Sequence, residues 1–208
     1  MQYMFGVPYY CSTIDPTAYN KSEILADITE NYNKNSFRNR WDTQSNLHHS
    51  YNDKDNINFK AIDYQQLLPL YTQQITNFLN EYSESKISFR YDIENYTCMT
   101  KGQFMREHDH PSSDFTAVHY IKYNPDVHKP TTYVNPAHWA LYNDRIVSPK
   151  MNKISNSNFF KHSWYWSTVN LNVVEDNFVI TPSPLKHRVE LQNSDELRVV
   201  IVLNIHIE

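Results

Sequence analysis

With 208 residues, 40% hydrophobic and 20% charged, the chain can bury a core and lacks the composition of a disordered segment. Its net charge of −4, with no block of lysine and arginine, argues against a nucleic-acid groove. The longest apolar run, Val199-Val200-Ile201-Val202-Leu203, is far too short to cross a bilayer.

Taken in order, residues 5–11 read as a short strand, and Asp15-Pro16-Thr17 as a turn leading into a helix over 18–32, where Ile24, Leu25, Ile28 and Tyr32 recur at helical spacing. Residues 33–58 are polar and irregular. They hold Arg38, Arg40, Trp41, Gln44 and the pair His48-His49, a composition that suits either a site-lining loop or a surface segment pinned by the tryptophan. The adjacent histidines face opposite ways on an extended chain and make a poor chelate. A second helix over 64–82 presents Leu67, Leu68, Tyr71, Ile75, Phe78, Leu79 and Tyr82, with Pro69 in its first turn and the regular helix starting near Leu68.

From residue 87 the period changes to two. Alternating runs predict strands over 87–93, 96–99, 115–123, 131–134, 164–166, 169–174, 178–181 and 198–207, with 104–107 leading into a histidine pair and 138–160 mostly loop. Gly102 marks a turn. Helices first and antiparallel strands afterwards define a mainly β protein, with 1–85 packed on a sandwich or jelly-roll core over 86–208, in one domain spanning 1–208. Cys11 and Cys98 are isolated and read as reduced thiols of a cytoplasmic protein. The N-terminus lacks the regions of a signal peptide. The excess of Asn, Lys, Ile and Tyr fits an AT-rich viral or microbial coding sequence.

The chemistry-bearing residues are few. His108 and His110 are spaced to share one face of an extended chain, directly before a strand, and can reach one metal ion together. His187 lies in a proline-flanked turn far downstream. On the last strand Arg198, Val200, Val202, Asn204 and His206 share one face. An arginine in such a strand calls for a partner, either Asp195 or Glu196 at an exposed strand start or a bound carboxylate.

In order, His108-x-His110-Pro-Ser-Ser, Val118-His119-Tyr120-Ile121, Thr181-Pro182-Ser183-x-Leu185-x-His187-x-Val189 and Arg198-Val199 to Asn204 resemble the 2-oxoglutarate/Fe(II)-dependent dioxygenases. The likeness is to the prolyl-4-hydroxylase-like branch that occurs in bacteria and phages. Trp41 to Leu47 and Gly102 add to a resemblance that covers about residues 5–207. It implies a double-stranded β-helix with N-terminal helices against it. It also implies Fe(2+) held by His108, His110 and His187, and 2-oxoglutarate bound through Arg198 with Tyr120 beside it. The reaction implied is hydroxylation of a prime substrate, a protein side chain or a small metabolite, with no nucleic-acid or membrane partner. Tyr120, His119 and Met99 are candidates for the pocket wall, and Trp139, Trp164 and Trp166 for its mouth or a lid over 126–168. The sequence departs from the family pattern at three places. His110 stands at the usual carboxylate position, Val200 replaces a small hydroxyl residue, and Thr181 replaces a phenylalanine. A three-histidine cupin-like enzyme that does not use 2-oxoglutarate, and a non-catalytic jelly-roll binding module, are the alternative readings.

Overall fold

The structure is a computed structural model that describes residues 1–51, 57–136 and 167–208. The expected strand at 164–166, the loop at 138–160 and Trp139, Trp164 and Trp166 lie outside the described residues.

A hairpin opens the chain, β1 (Gln2–Met4) and β2 (Val7–Thr13). Its two-residue turn, Phe5-Gly6, has positive φ at both positions, 53° and 76°, as a type I′ connection requires. The single strand expected over 5–11 is therefore broken, because a left-handed pair cannot continue an extended run. Helix α1 (Lys21–Lys34) buries Ile24 and Ile28. Helix α2 (Leu67–Tyr82) carries Pro69 in its first turn, where no backbone N–H is needed, and buries Leu67, Tyr71, Ile75, Phe78 and Leu79. Between them lies the short β3 (His48–His49).

The remaining strands are β4 (Phe89–Met99), β5 (Met105–His108), β6 (Phe115–Lys122), β7 (Thr131–Val134), β8 (Thr168–Asn170), β9 (Asn177–Pro182), β10 (His187–Val189) and β11 (Arg198–Ile207). Among the described residues the strands form two antiparallel sheets, one ordered β1-β2-β9-β6-β11-β4-β3 and the other β5-β10-β7-β8. Residues 87–93 and 96–99 are thus one strand, not two. It stays paired to β11 throughout but with a register shift, where Asn95 opposes Val202 and Ile93 opposes Leu203, leaving Glu94 as the extra residue of a bulge. The strand expected over 169–174 stops at Asn170.

Alternation along the large sheet gives it two apolar faces. Val199, Ile201, Leu203 and Ile205 of β11 pack with the helices, in one cluster with Ile28, Tyr71 and Phe78. Val200 and Val202 face the small sheet with Val118, Tyr120, Tyr133 and Val179. A satellite cluster of Leu47, Met99, Met105 and Val189, with Trp41 against it, fills the gap beside β5. The site lies between the sheets, with the helices on the far side of the larger one.

Candidate metal centre

His108 ends β5 and His187 begins β10, and the two are direct partners across that antiparallel pair. Their rings lie 4.3 Å apart, centroid to centroid. His110 sits in the turn after β5, where its backbone N–H bonds to the Ser183 carbonyl at 3.1 Å. Ser113 and Thr116 bond to the Ser183 hydroxyl at 2.7 and 2.9 Å, fastening that turn to the end of β9. The His110 ring stacks against His187 at 5.3 Å.

In each histidine Nδ1 is engaged. It faces the Arg106 carbonyl in His108 (3.0 Å), Asn204 Oδ1 in His110 (3.0 Å) and the Leu185 carbonyl in His187 (2.9 Å). Three oxygen acceptors place the proton on Nδ1 in all three rings, and the lone pair on Nε2. One ligand atom from each histidine then falls within 4.8 Å of the other two. Burial disfavours the charged form in every case. His108 is lowered, His110 falls to about 4, and His187 lies well below its ordinary value. Three neutral imidazoles with converging lone pairs fit a divalent transition metal, which competes with protons for those same atoms. Asp109 and Glu94 line the same cavity but do not join the converging group.

The cavity, of about 160 Å³, is also lined by Trp41, His49, Asn95, Thr131 and Arg198. Arg198 is 0% exposed, and none of its three guanidinium nitrogens has a hydrogen-bond partner among the described residues. The surface pairing with Asp195 or Glu196 is thereby ruled out. Its Cζ lies 5.5 Å from the Tyr120 ring and 5.9 Å from that of Tyr123. These ring faces offset only part of the cost of burying a cation. A buried fork of donors opening on the metal side fits a carboxylate.

The other expected residues divide by strand face. Tyr120 stands behind Arg198, donates to Thr131 at 2.9 Å and is not part of the cavity wall. His119, its neighbour on β6, points the opposite way, with Nδ1 2.9 Å from the Tyr71 hydroxyl in the helix layer, so it does not line the pocket. Val118 does. Met99 belongs to the satellite cluster beside the site. His48 and His49 do face opposite ways. His48 bonds to the Asn35 carbonyl at 2.7 Å, and His49 stacks on Trp41, which meets His108 edge-on at 4.8 Å. Burial pushes the His49 imidazole down to about 3, and the nearby His108, His48 and His110 add to that.

Sequence reasoning missed the roles of Asn204, Glu94 and Asn95, while the 33–58 stretch, one of whose two readings was a site-lining loop, supplies Trp41, His49 and Tyr51 to the wall. Asn204 had a signal, being an amide on the same strand face as Arg198. Glu94 and Asn95 had none, because only the bulge brings two consecutive side chains to the site.

Residues 96–204, more than half of the chain, match the family described as "Putative 2OG-Fe(II) oxygenase", and the protein belongs to that family. Membership implies Fe(2+) and 2-oxoglutarate as metal and cosubstrate. No curated protein matches the sequence. Solved structures share the fold at low identity. A Pseudomonas putida prolyl-4-hydroxylase is similar at 11% identity and a TM-score of 0.54, over 96% of this chain and 92% of that one. A Trichoplax adhaerens prolyl hydroxylase, in complex with a hypoxia inducible factor peptide fragment, aligns at 11% identity and a TM-score of 0.52 (95% and 83%). The carbocyclase SnoK from nogalamycin biosynthesis, described as non-heme and alpha-ketoglutarate dependent, aligns at 11% and 0.58 (97% and 80%). The two sheets with helices against the larger one are the double-stranded β-helix of these oxygenases.

Proposed function

We propose that this protein is an Fe(II)- and 2-oxoglutarate-dependent hydroxylase whose metal is held by His108, His110 and His187 and whose cosubstrate is fixed by Arg198. The observation that carries the reading is the presence, in one cavity, of three converging imidazole nitrogens and a buried guanidinium with no hydrogen-bond partner among the described residues. When bound, the metal and 2-oxoglutarate together supply oxidative decarboxylation, giving succinate and CO₂ and placing one atom of dioxygen on a substrate C–H bond.

The chain's own contributions are positional and electrostatic. The acceptors on Nδ1 hold each imidazole in the tautomer that presents Nε2. Arg198 binds the far carboxylate in a water-poor wall of Val200, Val202 and Val118, where a charge-assisted pair gains strength. Tyr120 supports the guanidinium from behind, and Thr131 holds the Tyr120 hydroxyl. Across the Trp41, His49 and Tyr51 wall of the cavity a prime substrate would meet the metal. A protein side chain and a small metabolite are both compatible with that wall.

A three-histidine centre that works without 2-oxoglutarate is the second reading, favoured by His110 standing where a carboxylate is usual. The partnerless Arg198 favours the first. Anaerobic addition of Fe(II) and 2-oxoglutarate is expected to produce a weak visible charge-transfer band. Iron binding without that band points to the second reading. Failure of the wild type to bind iron, or unchanged metal affinity in His187→Ala, sinks both.

A further inference from the structure

The converging group holds three neutral imidazoles and no carboxylate, yet a carboxylate stands one hydrogen-bonded residue away. Asn204 accepts from His110 Nδ1 at 3.0 Å through Oδ1 and donates to Glu94 Oε2 at 3.2 Å through Nδ2. The Glu94 bond fixes the amide orientation, since Nδ2 must face the carboxylate and Oδ1 the imidazole. Ser113 reaches the same Oδ1 at 3.4 Å. Glu94 gets there through the β4 bulge. Ile93 on one side packs with the helix layer and Asn95 on the other lines the cavity, so the extra residue turns toward the site instead of away.

We infer that Glu94, acting through Asn204, is a positioning residue for the metal centre, supplying at one remove the negative charge that His110 lacks as a ligand. The inference rests on the reading above that His108, His110 and His187 hold the metal. A carboxylate accepting from the amide Nδ2–H polarises the amide so that Oδ1 becomes a stronger acceptor. The stronger acceptor draws on the His110 Nδ1–H and makes Nε2 a better donor to a cation, as a carboxylate does when it touches a ligating histidine directly. Neither His108 nor His187 has such a chain, because their Nδ1 partners are backbone carbonyls. His110, at the family's carboxylate position, is the one ligand so served.

The test is anaerobic titration with Co(II), read by its ligand-field absorption bands and its dissociation constant, with no turnover required. Glu94→Gln keeps the shape and an oxygen that can accept from Asn204, and removes only the charge. It is expected to weaken Co(II) binding by about 10-fold, the low end for loss of a group behind a metal ligand, and to shift the bands. Adding Asn204→Asp to Glu94→Gln puts a carboxylate directly on His110 Nδ1 and is expected to restore binding to within about threefold of the wild type. Wild-type affinity and bands in Glu94→Gln, or no recovery in the double variant, overturn the inference while leaving the histidine centre standing. A wild type that does not bind Co(II), or a His187→Ala variant that binds it equally well, removes the centre itself and this inference with it.

Discussion

At the scale of single residues, Arg198 concentrates the conflict between stability and function. A guanidinium that is fully buried, with no hydrogen bond from Nε, Nη1 or Nη2 to the described residues, is a burden on the ligand-free protein that two tyrosine rings relieve only in part. Burial pushes its pKa down from the ordinary arginine value, which is the same cost expressed as proton affinity. Replacement by methionine, similar in length and apolar, is therefore expected to stabilise the ligand-free protein by at least about 1 kcal/mol. For a chain of this size that raises Tm by about 2–4 °C. The same variant is expected to raise the apparent Kd for 2-oxoglutarate by at least about 30-fold, since a charge-assisted pair in a dry pocket is worth on the order of 2 kcal/mol or more. Thermal unfolding and a 2-oxoglutarate titration check the two halves. A lower Tm combined with unchanged 2-oxoglutarate affinity would give Arg198 a structural role instead.

Among the elements, β4 shows what local sequence can and cannot disclose. The alternation of β11 was legible because its two faces meet two different cores, so Arg198 and Asn204 could be assigned to one side from residue spacing alone. The His108-x-His110 spacing was legible for the same reason. The β4 bulge was not, because whether Glu94 is an extra residue depends on its count against β11, a partner about a hundred positions downstream. Read locally, the sequence ends one strand at Ile93 and starts another at Tyr96, which takes the bulge for a gap. Trp41 and His49 lie in the 33–58 stretch, which the sequence offers as site-lining or surface; what decides between the two is the pairing of β3 with β4, together with the bond from the His49 N–H to the Arg38 carbonyl and the Trp41–His49 stack. The bulge makes its own prediction. Deleting Glu94 leaves Ile93 opposite Leu203 and Asn95 opposite Val202 in regular alternation, so the fold should survive with a stability change within about 1 kcal/mol. Metal affinity should fall as in Glu94→Gln. Loss of cooperative unfolding in the deletion variant would mean that the bulge is needed for the sheet and not only for the site.

For the whole molecule, what matters is how three layers are tied together, because the candidate site takes His108 and His187 from the small sheet, His110 from the turn after it and Arg198 from the large sheet. The tie between helices and large sheet is ionic as well as apolar. Asp176, at the start of β9 with φ of 64°, accepts from Lys21 of α1 at 2.7 Å and from Tyr19 at 3.0 Å. Burial alone would raise its pKa, but the nearby His119 ring, 3.8 Å away, the Lys21 ammonium and the Tyr19 hydroxyl outweigh it and hold the carboxyl below its usual range. The unfolded chain, with an Asp pKa of about 3.9, therefore takes up the proton first as pH falls. The stabilisation is complete above about pH 5 and is lost as pH drops through the native value. Asp176→Asn is expected to cost about 3 kcal/mol at pH 7 and to flatten the acid limb of the Tm profile. A parallel profile would show that the group does not titrate with folding. In the proposed centre a bound metal would add a second tie between the two sheets, beside their shared apolar cluster. His108 and His187 come from adjacent strands of the small sheet, and His110 from the connection leading into β6 of the large one. A bound ion thus crosslinks segments that unfold together, and it binds only the native arrangement. At a Co(II) concentration 100 times its Kd, stabilisation is expected to be about 2.7 kcal/mol, a rise in Tm of roughly 5–11 °C. A chelator should reverse it, and His187→Ala should abolish it. If Co(II) raises the Tm of His187→Ala by the same amount, the ion is stabilising some other part of the molecule, and the crosslink between the sheets is not made by these histidines.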